Sequence, residues 1–226
     1  MILTNIQKEY DGKAVLRGLD LELKDGEITC ILGKSGAGKT TLLNVLAGLC
    51  DYEGSIEPKP SKVGYVFQEN RLLPHLTVRE NLQFVGGRDA MIDELLHVVC
   101  LLEVADKKVA KLSGGEKRRV AVCRAFCVEA PLVLLDEPFT ALDSVTKESL
   151  LALVYRLVKE QQKTAVMVTH DVDEGIAIAD RVAVMAAGKI VFCADLPQAD
   201  GIRPYGALPA ERNELLDELK KSVERT

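Results

Sequence analysis

The stretch Gly33-Lys34-Ser35-Gly36-Ala37-Gly38-Lys39-Thr40-Thr41 decides how the rest of the chain can fold. It matches the pattern G-x-x-x-x-G-K-[ST] at every specified position. The apolar run at 28–32 before it is typical of a buried strand. The leucines and valines at 42–49 after it recur at helical spacing, and Gly48 suits the end of that helix. The order therefore predicts a strand, a glycine-rich loop and a helix in one contiguous unit.

This unit predicts a binding site for phosphate groups. Gly33, Gly36 and Gly38 permit backbone torsions that a Cβ forbids, so successive N–H groups of the loop can surround an anion. The positive end of the following helix adds to that attraction. We expect Lys39 to reach the β- and γ-phosphates and the Thr40 hydroxyl to ligate Mg²⁺. The alternative is a glycine-rich turn that binds nothing. It would require every residue specified by the pattern to occur by chance between a strand and a helix.

The bulk composition indicates a soluble globular protein. The 226 residues suffice for one domain with a sizeable core, and 47% are hydrophobic while 28% are charged. No apolar run reaches the roughly 18–20 residues that a membrane span needs. The first five residues lack the layout of a signal peptide. A net charge of −5 argues against a nucleic-acid partner, and the basic run Lys117-Arg118-Arg119 is interpreted as a solvated helix face.

The six cysteines form no C-x-x-C pair. Cys123 and Cys127 lie four positions apart on a predicted helix, where a metal site would need two further ligands. Packing in the core is the simpler interpretation, because a free cysteine behaves as a small hydrophobe. Free cysteines that pack in the core are typical of a protein in the reducing cytosol.

Hydrophobic periodicity predicts an α/β fold. Residues 2–10 and 19–23 alternate as half-exposed antiparallel strands do, around a turn at Asp11-Gly12. Residues 50–62 indicate a loop or short edge strands. Buried strands are predicted at 28–32, 63–67, 132–136 and 164–169, a helix at 144–162, a hairpin around Gly188, and a terminal helix from Pro209 to Thr226. From about 70 to 130 the helical period dominates, which indicates a helical insertion between strands.

Polar residues follow several of the buried strands, where binding groups often lie in open α/β sheets. Gln68 follows one strand, Asp136 and Glu137 follow another, and His170 follows a third. Asp136 is expected near the phosphate-loop Mg²⁺, and Glu137 can turn towards an attacking water because Pro138 helps to end the strand. Solvated acids at a strand end are the alternative.

Ser113 and Glu116 begin a long helix in the pattern of a capping box. That local role does not require the two glycines between them, Gly114 and Gly115. Close approach to a ligand phosphate at the helix N-terminus is a second role for those glycines. Tyr10 precedes the predicted turn, and on the residues alone an ordinary strand aromatic is the favoured interpretation.

Taken together, these motifs resemble the nucleotide-binding subunit of an ABC transporter over nearly the whole chain. Gln68 resembles the Q-loop, 112–116 (Leu-Ser-Gly-Gly-Glu) the LSGGQ signature, and 132–137 the Walker B strand. Residues 141–143 (Ala-Leu-Asp) resemble the D-loop, and His170 the switch histidine. The signature is decisive because other phosphate-loop ATPases lack it.

The resemblance implies a phosphate-loop NTPase (RecA-like) core with an N-terminal antiparallel β subdomain and an inserted α-helical subdomain. The whole chain, 1–226, would be a single ATPase domain. Its core would comprise 1–69 and 131–226, and its helical signature subdomain 70–130.

The resemblance also implies roles for individual residues. Glu137 polarises the attacking water, and His170 contacts the γ-phosphate and links it to that water. Two ATPs would lie in a head-to-tail homodimer, each between one phosphate loop and the signature of the other subunit. Tyr10 would then stack on adenine, which reverses the interpretation above. Within one subunit, the residues implied to bind ATP are Gly33, Ser35, Gly36, Ala37, Gly38, Lys39, Thr40, Thr41 and Gln68. Those implied to bind the ATP of the other subunit are Ser113, Gly114, Gly115 and Glu116, while Asp143 would contact the other subunit. The implied Mg²⁺ ligands are Thr40, Gln68 and Asp136.

One position departs from the family pattern. The signature usually ends in Gln, and this chain has Glu116. A carboxylate at close range would repel phosphate, whereas one directed at the ribose hydroxyls would accept hydrogen bonds. ATPase activity remains the interpretation.

Residues 66–81 are similar to the nitrate/sulfonate/taurine importer group, which usually has Trp at the position of His75. The implied role is to power the uptake of a small solute through a separate membrane permease, at the cytoplasmic face of the membrane, with an extracytoplasmic solute-binding protein. Two alternatives remain: an efflux or lipoprotein-release ATPase, and a soluble ABC ATPase of DNA repair or translation.

Overall fold

The computed structural model describes residues 1–140 and 142–224. Strands β1 (Ile2–Tyr10), β2 (Lys13–Glu22) and β4 (Glu53–Glu57) form an antiparallel sheet in the order β2-β1-β4. Asp11 and Gly12 both have positive φ, 49° and 77°, as the predicted tight hairpin turn requires. The sequence placed the second strand at 19–23, but pairing begins at Lys13, directly after the turn. Register shifts along the hairpin interrupt the alternation on which that prediction relied.

A six-stranded sheet forms the centre of the molecule. It comprises β3 (Ile28–Leu32), β5 (Val63–Val66), β6 (Leu132–Asp136), β7 (Thr164–Thr169), β8 (Arg181–Ala186) and β9 (Lys189–Asp195). The strand order is β5-β6-β7-β3-β8-β9, and only β9 is antiparallel to its neighbour. Because the other five strands are parallel, their carboxyl ends lie at one edge, which is where ligands bind in such sheets.

The predicted helices are present, α6 is one that the sequence analysis did not predict, and the last two residues of the predicted terminal helix lie outside the described residues. Those outside the insertion are α1 (Lys39–Leu46), α5 (Ser144–Glu160), α6 (Val172–Ile178) and α7 (Pro209–Glu224). Between β5 and β6 lie α2 (Val78–Gln83), α3 (Asp89–Val98) and α4 (Gly114–Cys127), with short 3₁₀ turns at Leu102–Val104 and Val109–Lys111. This confirms the predicted helical insertion. Among the described helices, none is long and apolar enough to cross a bilayer.

Two apolar cores lie against opposite faces of the central sheet. Along β6, Val133 and Leu135 belong to one core, whereas Leu132 and Leu134 belong to the other. This division follows from the alternation of side chains along a strand. The first core is shared with the inserted helices and contains Cys123 and Cys127, which are buried. Burial raises the pKa of both thiols, so the predicted packing role is confirmed.

Candidate active site

The carboxyl ends of β3, β5 and β6 converge on a cleft of about 360 Å³. Val15 from β2 lies on its wall. Every other lining residue is one that the sequence predicts for the site: Ser35, Gly36, Gly38, Lys39, Thr40, Thr41, Gln68, Asp136 and Glu137. Val15 carries no local signal of this role, because only the packing of the antiparallel sheet against the loop brings it there.

The phosphate loop needs its glycines for different reasons. Gly36 has φ 81°, and a Cβ added there would meet no described residue within 4 Å, so the space beside it is open for a ligand. Gly38 has φ 105° and caps α1, and an added Cβ would lie 2.9 Å from Met185 Cε. At Gly33 an added Cβ would lie 2.5 Å from the carbonyl oxygen of Met185. The loop thus combines an open cradle with a tightly packed base, and these features fit a phosphate group.

Lys39 lies in the first turn of α1 and is 7% exposed. Its ammonium donates to the carbonyl oxygens of Gly33 at 2.6 Å and Lys34 at 2.9 Å. Burial lowers the pKa of Lys39, and the carboxylates of Glu137 and Asp136 oppose that effect. The loop therefore holds a desolvated cation at the cleft, where it is positioned to bind an anionic ligand.

Asp136 ends β6 and is 2% exposed. Burial raises the pKa of its carboxyl, while a hydrogen bond from the Thr40 hydroxyl lowers it. The structure thus brings together two of the three residues that the sequence predicts as Mg²⁺ ligands, Asp136 from β6 and Thr40 from α1. A carboxylate and a hydroxyl that face a phosphate site are the donor set this hard cation prefers.

Glu137 and His170 directly follow the neighbouring strands β6 and β7, and their side chains meet. The Nδ1 atom of His170 lies 3.2 and 3.1 Å from the two carboxylate oxygens of Glu137. The Thr140 hydroxyl donates to the same carboxylate at 3.0 Å. Glu137 is not glycine, yet its φ is 46°, a conformation that costs about 1–3 kcal/mol and recurs at functional sites. Thr140 is a contact that the sequence did not predict.

The signature residues lie at the N-terminus of α4, outside the lining of the cleft just described. The predicted capping box is present: the Glu116 carboxylate accepts from Ser113 N–H at 2.7 Å, and the Ser113 hydroxyl accepts from Glu116 N–H at 3.3 Å. Hydrogen bonding of the carboxylate to the main chain and then the side chain of Ser113 lowers the pKa of Glu116. The carboxylate is therefore folded back onto its own helix, as the predicted capping box requires, and its orientation towards a nucleotide stays a prediction.

Two predicted residues lie apart from the cleft. Tyr10 is 42% exposed and its ring lies under Lys8, whose ammonium is 4.8 Å from the ring centroid, so its adenine contact stays a prediction. Asp143 caps α5 and accepts from Thr146 N–H at 3.0 Å. Ala141, the first residue of the predicted D-loop, lies outside the described residues.

Arg118 overturns one interpretation. The sequence placed it in a solvated basic run, but the side chain is 5% exposed and turns inward from α4. Its guanidinium donates to main-chain carbonyls next to the cleft, including those of Asp136 at 2.8 Å and Glu137 at 2.6 Å. A buried cation needs such partners, and they were invisible in the sequence because they come from distant segments.

The family model described as ABC transporter matches residues 16–140. The chain belongs to this family. It is 38% identical over 237 aligned residues to an aliphatic sulfonates import ATP-binding protein, SsuB 2, of Burkholderia cenocepacia, a match that covers 97% of this chain and 87% of that protein. It is 41% identical to the bicarbonate transport ATP-binding protein CmpC of Synechocystis, covering 84% of this chain and 31% of that one.

A solved structure agrees with this assignment. The ATP-binding cassette MJ0796, as a post-hydrolysis dimer bound to ADP and Pi, matches this ABC ATPase with a TM-score of 0.77 at 31% identity. The match covers 88% of this chain and 99% of that one. The expected fold class, the family and the ATP-binding ATPase activity are therefore confirmed.

Proposed function

We propose that this ABC ATPase drives the uptake of a small solute of the nitrate, sulfonate or taurine kind through a separate membrane permease. The names of its relatives support import, since they are described as sulfonate import and bicarbonate transport ATP-binding proteins. In this proposal the chain is a peripheral subunit at the cytoplasmic face of the membrane. An extracytoplasmic binding protein delivers the solute, so solute choice lies outside this chain.

The contact between Glu137 and His170, at 3.1 Å beside the phosphate loop, carries the proposed chemistry. Glu137 orients the attacking water and accepts its proton, which contributes about 10²–10⁴-fold in general base catalysis. His170 holds the carboxylate through Nδ1 and contacts the γ-phosphate. Thr140 supports the same carboxylate by donating a hydrogen bond.

The phosphate loop binds the nucleotide in this proposal. Main-chain N–H groups from Gly33 to Thr41 and the Lys39 ammonium hold the phosphates, and Gln68 and Tyr10 contribute to the same site. Mg²⁺, held by Thr40, Gln68 and Asp136, supplies charge neutralisation of the phosphates when it is bound. Asp136 and Thr40 already contact each other, which is consistent with a shared ligand.

We also propose that ATP brings two copies together head to tail. Ser113, Gly114, Gly115 and Glu116 of one copy then face the ATP of the other, and Asp143 lies at the interface. Among the described residues, an added Cβ on Gly114 would meet nothing within 4 Å, and one on Gly115 would meet only Leu142, at 3.6 Å. Packing against the described part of one copy therefore does not explain either glycine, whereas close approach of a second copy's ligand does.

The same proposal divides the chain into a core of residues 1–69 and 131–226 and a helical signature subdomain of 70–130, within one ATPase domain. The Gln68 segment lies where these two parts meet. It is the part of the site suited to sense the permease.

The test is affinity purification of the tagged chain from detergent-solubilised native membranes, with an untagged strain as control. Recovery of a multispanning permease is the expected result. That permease's binding protein would then be screened against sulfonates, nitrate and taurine. Recovery of ribosomal or DNA-associated proteins alone would refute the transport proposal in favour of a soluble ABC ATPase.

A further inference from the structure

Arg118 has an unusual set of partners for a single buried side chain. Its guanidinium nitrogens lie within hydrogen-bonding distance of six acceptors, of which five are main-chain carbonyls. They are the carbonyl oxygens of Asp136 (2.8 Å), Glu137 (2.6 Å), Pro138 (2.8 Å), Phe67 (2.5 Å) and Gln68 (3.3 Å), and Asn70 Oδ1 (3.4 Å). A guanidinium has five N–H donors in a rigid plane, so this set uses its full capacity and fixes its orientation.

These acceptors belong to two separate segments. One is the turn at 136–138 after β6, and the other is the segment at 67–70 after β5. Arg118 itself belongs to α4, whose N-terminus carries the signature. One side chain therefore links the signature helix, the Gln68 segment and the turn that contains Glu137.

The conformation of Glu137 makes this link important for the site. A φ of 46° is strained for a residue with a Cβ, and such a conformation persists only when its surroundings hold it. Arg118 binds the carbonyls on both sides of the Glu137 Cα, those of Asp136 and Glu137 itself. The Glu137 N–H donates to the Val168 carbonyl at 2.9 Å. Together these bonds fix the peptide planes around Glu137 and so direct its carboxylate towards His170.

We infer that Arg118 is a positioning residue for ATP hydrolysis, which holds Glu137 in its strained conformation and ties that conformation to the Gln68 segment. The inference rests on the proposed role of Glu137. Arg118 does not touch the reacting atoms; it acts through the main chain of Glu137. A change in the Gln68 segment would therefore reach the catalytic carboxylate through a single guanidinium.

The test compares Arg118→Met with the full-length wild-type chain in steady-state ATPase assays. Removal of the donors should lower kcat about tenfold or more, because a displacement of about 1 Å in a catalytic group can cost a factor of about 100. The Kd for ATP should change less than about threefold, since Arg118 holds a group that acts in the transition state. Arg118→Lys, with three donors in place of five, should give an intermediate kcat.

Arg124 provides the matched control. It lies on the same helix, and its guanidinium donates to the carbonyls of Arg71 at 2.8 Å and Asn70 at 3.2 Å. It thus anchors the segment after Gln68 without binding the turn at 136–138. Arg124→Met should keep kcat within about twofold of wild type. If Arg124→Met lost as much kcat as Arg118→Met, loosening the segment after Gln68 would by itself explain the loss of activity. That result would overturn the inference.

A second measurement separates positioning from misfolding. Glu137→Gln should trap an ATP-bound dimer that is visible by size-exclusion chromatography, and Glu137→Gln combined with Arg118→Met should still trap it. Loss of the trapped dimer only in the double variant, or a wild-type kcat in Arg118→Met, would overturn the inference. If Arg118→Met does not fold, as judged by thermal unfolding, Arg118→Lys takes its place in both assays.

The two proposals fail in different ways. Wild-type turnover in Glu137→Gln would refute the catalytic role of Glu137, and with it the positioning role of Arg118. Wild-type turnover in Arg118→Met, in a chain that Glu137→Gln inactivates, would refute the positioning role alone.

Discussion

Replacement of Lys39 by Met should have little effect on folding and a large effect on nucleotide binding. The Lys39 ammonium is 7% exposed, and burial lowers its pKa, so the charged form is less favourable in the folded chain than in water. A lysine with a depressed pKa destabilises the folded state; this penalty is fully present below the folded pKa and is lost as pH rises through the unfolded value. Replacement by Met removes that penalty, which stabilises the folded state, but it also removes the two hydrogen bonds to Gly33 and Lys34, which destabilises it. We therefore expect the free energy of unfolding without nucleotide to change by less than about 1 kcal/mol.

The nucleotide affinity should fall strongly. Truncation of one partner in a buried charge pair costs about 2–4 kcal/mol, as for other desolvated pairs. That corresponds to a Kd raised about 30- to 1,000-fold. Lys39 lines the same cleft as Asp136 and Glu137, so the contact with phosphate that this substitution removes would lie there.

The assay is urea denaturation with and without a non-hydrolysable ATP analogue and Mg²⁺. At an analogue concentration of about 100 times the wild-type Kd, the wild-type chain should gain about 2.7 kcal/mol of stability. With a Kd about 100-fold higher, Lys39→Met should gain only about 0.4 kcal/mol under the same conditions.

Lys34→Met is the control for this comparison, because Lys34 lies in the same loop, carries the same charge and is exposed. It should gain as much stability from the analogue as the wild-type chain. If the analogue stabilised Lys39→Met as much as the wild-type chain, the assignment of Lys39 as a phosphate ligand would be refuted. Unfolding of Lys39→Met without nucleotide would refute the argument from its pKa.

Three further predictions concern the catalytic acid and the signature. Glu137→Gln should lower phosphate release by about 10²–10⁴-fold while ATP still binds, and turnover near the wild-type rate would exclude Glu137 as the base. Gly114→Ala should leave thermal stability unchanged or slightly higher, since a Cβ has open space there, yet impair ATP-driven dimerisation in size-exclusion chromatography; a normal dimer would remove the trans role. Glu116 has a lowered pKa, so its contribution of about 1 kcal/mol is present above the unfolded value of 4.5 and is lost as pH falls through the folded pKa. Glu116→Gln should flatten this acid dependence in urea titrations from neutral pH downwards, and an unaltered dependence would contradict the capping role.

Local features of the site were predictable from the sequence. The phosphate loop, its strand and its helix are contiguous, so the pattern from 28 to 48 specifies all three together. The capping box of Ser113 and Glu116 spans three positions, and its geometry is set within one helical turn. Asp136, Glu137 and His170 follow apolar runs that were recognisable as buried strands.

Contacts between distant segments were not predictable from residue patterns. Glu137 and His170 are 33 positions apart and meet because β6 and β7 are adjacent parallel strands. Val15 reaches the cleft only through the packing of the antiparallel sheet against the loop. The resemblance to a family supplied roles for Glu137 and His170, but it gave no sign of Val15.

Arg118 shows the difference between what the sequence predicts and what only the tertiary structure reveals. In the sequence it is the middle of three basic residues on an amphipathic helix, and its partners lie 18 to 51 positions away. The sequence by itself determined the nucleotide-binding unit, because glycine torsions, helix capping and strand hydrophobicity act between near neighbours. Only the tertiary structure decided that Arg118 is buried, because a charge is stable away from water only where the fold assembles enough acceptors around it.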